Sequence, residues 1–184
     1  MFRVLILFFI LNFYHPAISS TKEKIINQMK LTNNLSFNFI QKIGEKSEKG
    51  SCIIKYPKKI FCEYKNINKK IMVSNGKSLV ITNKNQGSYF LYSLKKTPLE
   101  FLLNKNYLIS EINILEPRDI DNKYLNFSIL KGDNEINIFF DKRTLNLVGW
   151  QTEDIYHNLT ITFISSVKIN QKINDNIFIL PKNN

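Results

Sequence analysis

The residues best able to do chemistry in this 184-residue chain are Cys52 and Cys62, its only two cysteines. They stand symmetrically about Pro57, five positions to either side. An odd-length turn centred on Pro57 sets them opposite each other on adjacent antiparallel strands, on the same face. In an oxidising compartment that geometry permits a cross-strand disulfide, provided the Cα atoms come within about 6.8 Å. A one-residue change of register prevents it. The other reactive side chains are scattered. His157 lies alone in a polar stretch, a setting in which imidazole is more often solvated than catalytic. Glu111, Glu116, Asp119 and Asp121 fall in a loop-like segment that pairs no two of them at a defined geometry. Gly76-Lys77-Ser78 ends like a phosphate-binding loop, but that loop needs a glycine where Ile71 stands and a strand-to-helix context. With no nucleophile elbow, no His-Glu-x-x-His and no closely spaced metal ligands, the reading is of a protein that is not an enzyme and uses no metal or cofactor.

The elements that carry these residues have a dominant period of two. Leu35, Phe37 and Phe39 alternate with polar residues, as do Leu125, Phe127 and Ile129, then Ile136, Ile138 and Phe140, then Leu159, Ile161 and Phe163. Each set marks the apolar face of one strand. Turn signals separate them at Lys131-Gly132-Asp133-Asn134, at Asp141-Lys142-Arg143-Thr144 and along the polar stretch from Gln151 to Asn158. Asn75-Gly76 between two further apolar runs fits a type I′ hairpin, which needs positive φ at both central residues. Helix signals are fewer. Ser20-x-x-Glu23 caps a helix on which Ile25, Ile26 and Met29 share a face. Thr97-Pro98-Leu99-Glu100 is a second capping box, opening a short apolar helix from Leu99 to Leu103. The expectation is a mainly β protein, an antiparallel meander with one apolar face and two or three short helices to cover it. Such parts either pack into a closed core or leave space for a ligand.

Ahead of them, Arg3 precedes an apolar run, Val4–Ile10, and Ala17-Ile18-Ser19 is a small-x-small cleavage pattern. Residues 1–19 therefore read as a secretory signal peptide and 20–184 as a single domain. The run is shorter than the roughly 18 residues expected of a spanning helix. No cysteine lies near the cut, so lipid anchoring is not expected. The formal charge of +11 is spread along the chain, which argues for background composition rather than a nucleic-acid site.

Within residues 50–103 the punctuation falls in a set order: Gly50 opening a strand, Pro57 turning it, the aromatic Tyr64, the Asn75-Gly76-Lys77 turn and the Thr97-Pro98-Leu99 helix start. This order resembles the LolA family of periplasmic carriers of outer-membrane lipoproteins, and looser matches run from about Leu35 to Pro181. The resemblance implies an incomplete, unclosed antiparallel β-barrel with a lid of short helices, enclosing space for lipoprotein acyl chains. By the same resemblance that space is lined by Phe37, Phe39, Ile54, Tyr56, Ile60, Tyr64, Leu99, Leu102 and Leu103, together with Leu125, Phe127, Ile129, Ile136, Ile138, Phe140, Leu159, Ile161 and Phe163. The family places inward apolar side chains at Cys52 and Cys62, so these two are either bridged or small lining residues. An Arg just before the turn proline holds the family's lid shut. Here that position is Tyr56, which is either a weaker latch through its hydroxyl or an ordinary lining residue, and Lys55 should face the other way. The implied function is a monomeric periplasmic carrier. It is loaded by an inner-membrane LolCDE-type transporter and delivers to the outer membrane, with or without an acceptor lipoprotein there. The rival is a periplasmic sensing or structural domain of the same fold that binds a lipid or protein signal.

Overall fold

Alternating apolar residues build most of the molecule into sheet. The computed structural model describes residues 20–65, 69–83, 85–132, 134–153 and 158–183; residues 1–19, Asp133 of the Lys131–Asn134 turn and His157 lie outside them. The order is α1 (Thr21–Leu31), β1 (Asn34–Ile43), β2 (Lys46–Lys55), β3 (Lys59–Tyr64), β4 (Lys70–Asn75), β5 (Ser78–Asn83) and β6 (Ser88–Ser93). Two short helices follow, α2 (Leu99–Leu102) and α3 (Lys105–Ile114). The chain then returns to strands with β7 (Arg118–Ile120), β8 (Tyr124–Lys131), β9 (Asn134–Asp141), β10 (Leu147–Glu153) and β11 (Leu159–Ile169).

The strands form one sheet in the order β6-β5-β4-β3-β2-β1-β11-β10-β9-β8-β7, every pair antiparallel. The chain walks out from β1 to one edge and later walks back from the other edge to lie beside β1. Among the described residues the one crossover joins edge to edge, and α2 and α3 lie on it. The sheet is not closed, so the fold is the expected incomplete barrel with a helical lid.

Local signals explain most element ends. Ser20 Oγ accepts from the Glu23 N–H at 3.2 Å and Glu23 Oε2 accepts from the Ser20 N–H at 2.9 Å, the reciprocal capping box read from sequence. Three other expectations need correction. At the β4–β5 hairpin only Gly76 has positive φ, +96°, which is the pattern of a II′ rather than a I′ turn. Asn75 stays extended because its side-chain oxygen accepts from the N–H groups of Lys77 and Ser78, both at 3.0 Å. Thr97 makes no capping box, since its hydroxyl donates to Leu94 O at 2.8 Å and Glu100 turns elsewhere. The segment read as a loop contains α3, which holds Glu111, and β7, which holds Asp119. Asn104 caps α3, and burial of Leu108 and Ile112 stabilises a sequence of modest helix propensity.

The fourth correction decides the shape of the site. On β11 the residues that face inward are Thr160, Thr162 and Ile164, while Leu159 and Phe163 are 47% and 54% exposed and Ile161 shares their outer face. Register requires this: Phe39 pairs with Ile164 and Gln41 with Thr162. The pairing slips between Ser36 and Asn38, opposite Ser166 at φ +53°. Beyond that bulge the odd-numbered Val167 and Ile169 turn inward. One extra residue thus swaps the faces within a single strand.

Candidate functional site

The inner face of the sheet is filled differently in its two halves. Leu125, Phe127, Ile129 and Ile136 of β8 and β9 are buried in a core that includes Ile25 of α1 and Ile112 of α3. Phe37 of β1 is buried in the same core, edge-on to Trp150 with ring centroids 6.0 Å apart. These residues, read as lining, are packed core. Toward β1–β5 the packing opens into two chambers.

The first has a volume of about 80 Å³ and lies beneath the lid. Ile25 and Met29 of α1 meet Ile54, Tyr56, Leu99, Leu102 and Leu103, with Ile138 and Phe140 of β9 and Val167 and Ile169 of β11 opposite. The second has a volume of about 290 Å³ and runs from Phe39, Cys52, Cys62 and Tyr64 to Leu79 and Ile81 of β5 and Tyr92 of β6. Ile60, Leu99 and Trp150 touch both chambers and form the partition between them. Ten of the residues expected from sequence therefore line a chamber: Phe39, Ile54, Tyr56, Ile60, Tyr64, Leu99, Leu102, Leu103, Ile138 and Phe140. Leu159, Ile161 and Phe163 do not, because they point outward. Trp150 had no signal in the sequence, Thr152 falls within the polar stretch Gln151–Asn158, and Thr160 and Thr162 fall on the polar side of the Leu159, Ile161, Phe163 alternation. Leu79 and Ile81 had a signal, the apolar run Leu79-Val80-Ile81 that follows the Asn75-Gly76 turn.

Gly50 allows the wall of the second chamber to form. A Cβ at this position would lie 2.2 Å from Glu63 O and 2.7 Å from the Phe39 ring. Phe39, Gly50 and Tyr64 stand in one row across β1, β2 and β3, so the glycine lets the two rings meet over the middle strand with centroids 5.0 Å apart. Next to them Cys52 and Cys62 are paired residues on β2 and β3, with Cα atoms 4.1 Å apart, and are joined by a disulfide. Burial, helped by the charge of Glu48, holds the Tyr64 phenol well above its usual range.

The lid is tied down by cations. The turn after Tyr56 gives its Lys58 N–H to Leu103 O at 2.9 Å and its Lys58 ammonium to Glu100 Oε1 at 2.5 Å. This pair is largely withdrawn from solvent, at 28% and 15% exposure. Lys105 of α3 donates to Lys30 O at 3.1 Å and Thr32 O at 2.8 Å, so it holds the end of α1, and its ammonium lies 5.7 Å from the centre of the Tyr56 ring. Tyr56 lines the first chamber, and its hydroxyl makes no hydrogen bond to a described residue. Burial pushes its phenol pKa up to about 12. Lys55 faces outward and pairs with Asp175 at 2.7 Å.

An unclosed sheet with a helical lid and two chambers between them is the architecture of an incomplete β-barrel under a lid. Residues 19–180 match the family described as outer membrane lipoprotein carrier protein LolA, and the chain belongs to that family. No curated protein matches it. Among solved structures, an uncharacterized conserved protein from Thermus thermophilus is similar over 89% of this chain and 96% of its own, at 7% identity and a TM-score of 0.52, so the fold is shared. A LolA superfamily protein from Nitrosomonas europaea is similar over 88% of this chain and 99% of its own, at 10% identity and a TM-score of 0.44. LprF from Mycobacterium bovis is similar over 84% and 94%, at 10% identity and a TM-score of 0.45.

Proposed function

We propose that the chain is a periplasmic carrier that takes the acyl chains of lipoproteins into these chambers and moves them from the inner to the outer membrane. The observation that carries the reading is an apolar cavity beneath a lid fastened by a few polar contacts. Withdrawing an acyl chain from water is worth about 0.8 kcal/mol per CH₂, so a long chain supplies on the order of 10 kcal/mol before costs. Affinity is therefore easily had, and release is the harder requirement. A first chamber of about 80 Å³ has room for only a few water-sized bodies, so cargo must displace the lid. Breaking the Lys58–Glu100 contact then subtracts from net affinity, because the open state is a minor one in the empty protein. In this reading Lys58 does the work of the arginine that the family places at position 56, a role for which Tyr56 was one of two alternatives. Loading falls to an inner-membrane transporter of the LolCDE type, and the receiving step uses an acceptor lipoprotein or the outer membrane itself.

The test is to isolate tagged protein from periplasm and identify what accompanies it by mass spectrometry. Lipoproteins in near-stoichiometric amount are expected. A stable complex with a membrane regulator and no lipoprotein would replace this reading with a sensing role. An Ile138→Asp variant places an unpaired carboxylate in the first chamber, and its lipoprotein content is expected to fall at least tenfold. Wild-type cargo on a folded variant would remove the chamber from the mechanism.

A further inference from the structure

The second chamber has two unlike walls. One is apolar, made by Met72, Leu79 and Ile81 with the disulfide. The other, across β10, β11 and β1, presents Thr152, Thr160 and Thr162, only 8%, 7% and 3% exposed, together with Gln41. Thr152 pairs directly with Thr160, and Thr162 stands between Trp150 and Gln41, so the hydroxyls form one patch. Their hydrogen-bonding capacity is only partly used. Thr162 Oγ1 accepts from Gln41 Nε2 at 3.1 Å, which leaves its own proton to donate. Thr160 Oγ1 reaches Asn158 O only at 3.4 Å, and Thr152 Oγ1 has no hydrogen bond to a described residue. A chamber meant for hydrocarbon alone would gain by valine here, which has the same shape without a hydroxyl to desolvate.

We infer that the second chamber receives the carbonyl end of an acyl group, its ester or amide linkage, while the tail crosses the Ile60–Leu99–Trp150 partition into the first chamber. This rests on the proposed carrier reading and adds to it the part of the ligand that each chamber takes. Hydroxyl donors on one wall and hydrocarbon on the other suit a ligand that is apolar overall but carries hydrogen-bond acceptors. A free carboxylate suits it less well, because the lining Lys70 already forms an ion pair with Glu48. Ester carbonyls of this kind occur both in lipoproteins and in phospholipids.

The test compares a synthetic dipalmitoyl-glyceryl cysteinyl peptide with its dialkyl ether analogue, which lacks the ester carbonyls. Each is bound to the mature protein and to the triple variant Thr152→Val, Thr160→Val, Thr162→Val. The variant is expected to lose about tenfold in affinity for the ester and nothing for the ether. The single variant Thr152→Val, which breaks no existing hydrogen bond, shows the same selectivity in smaller measure should the triple variant fold poorly. With ¹³C-labelled carbonyls, the infrared band of bound ester is expected at lower frequency in wild type than in either variant. Equal loss for ester and ether, no loss at all, or an unmoved band would overturn the inference while leaving the carrier reading intact. Failure of wild type to bind either compound would overturn both. Dipalmitoyl phosphatidylglycerol forms a third arm: binding as tight as the peptide's assigns the ester to phospholipid, and weaker binding assigns it to lipoprotein.

Discussion

At Gly50 one added methyl group has a large consequence. The Phe39–Tyr64 contact crosses the space that a Cβ would take, and Glu63 O blocks any easy shift. A Gly50→Ala protein is expected to lose more than about 2 kcal/mol, because backbone on one side and a ring on the other must both yield. Chemical denaturation measures this, and a change below about 0.5 kcal/mol would contradict the packing described. Tyr56 gives a second residue-scale test, read through pH. Its phenol is held to about 12 by burial against an ordinary 10.0, so the folded protein keeps a proton that the unfolded chain has already lost. The stability this represents is complete below about pH 10 and disappears as pH rises through 12. Ultraviolet titration of the mature protein should show delayed phenolate formation, and Tyr56→Phe should remove part of the delay together with part of the alkaline loss of stability. Phenolate appearing in full near pH 10 would mean that the ring is not enclosed.

At the scale of elements, the lid is fastened to the β2–β3 turn by one side-chain pair and one backbone hydrogen bond, both from Lys58. A Glu100→Gln variant keeps the shape but removes the charge, and should destabilise lid closure by about 1–2 kcal/mol. Amide exchange in α2 is the readout, expected to rise roughly five- to thirty-fold while β8 and β9 stay unchanged. Exchange that is unaltered in α2 would leave closure to apolar contact alone. Much at this scale could be read in the chain. The strand faces of β1, β8 and β9 followed from alternation, and the cap of α1 from two residues. α3 was illegible because its own propensity is weak, and what holds it is a cap at Asn104 and burial against the sheet. The inward face of β11 was illegible for a different reason. Leu-Thr-Ile-Thr-Phe alternates cleanly, but register with β1 fixes which set turns inward, and the bulge at Ser166 reverses the choice further along. The threonine wall was lost with it, since hydropathy ranks threonine with the exposed residues.

Across the whole molecule, the described residues include no helix long and apolar enough to cross a membrane. The charge is distributed rather than gathered, and the reactive thiols are joined to each other. Together with the leader pattern of residues 1–19, this gives an expectation that one measurement can check. Protein recovered from the periplasmic fraction and alkylated without reductant should have the mass of a chain beginning at or near Ser20, with no added alkyl group. Retention of the leader in the inner membrane, or two modified thiols, would each be a separate failure.

The crosslink between Cys52 and Cys62 also has a mechanical meaning. It sits midway along the β2–β3 hairpin, and the tip of the same hairpin is where Lys58 grips the lid. The hairpin is thus an arm stapled at its middle, stiff against splaying along the wall of the second chamber. In the proposed carrier reading, room for cargo would then come from the crossover that bears α2 and α3, with the arm as a fixed post against which that door shuts. Reduction would turn the post into a spring, and the door would then close with less force on whatever lies behind it.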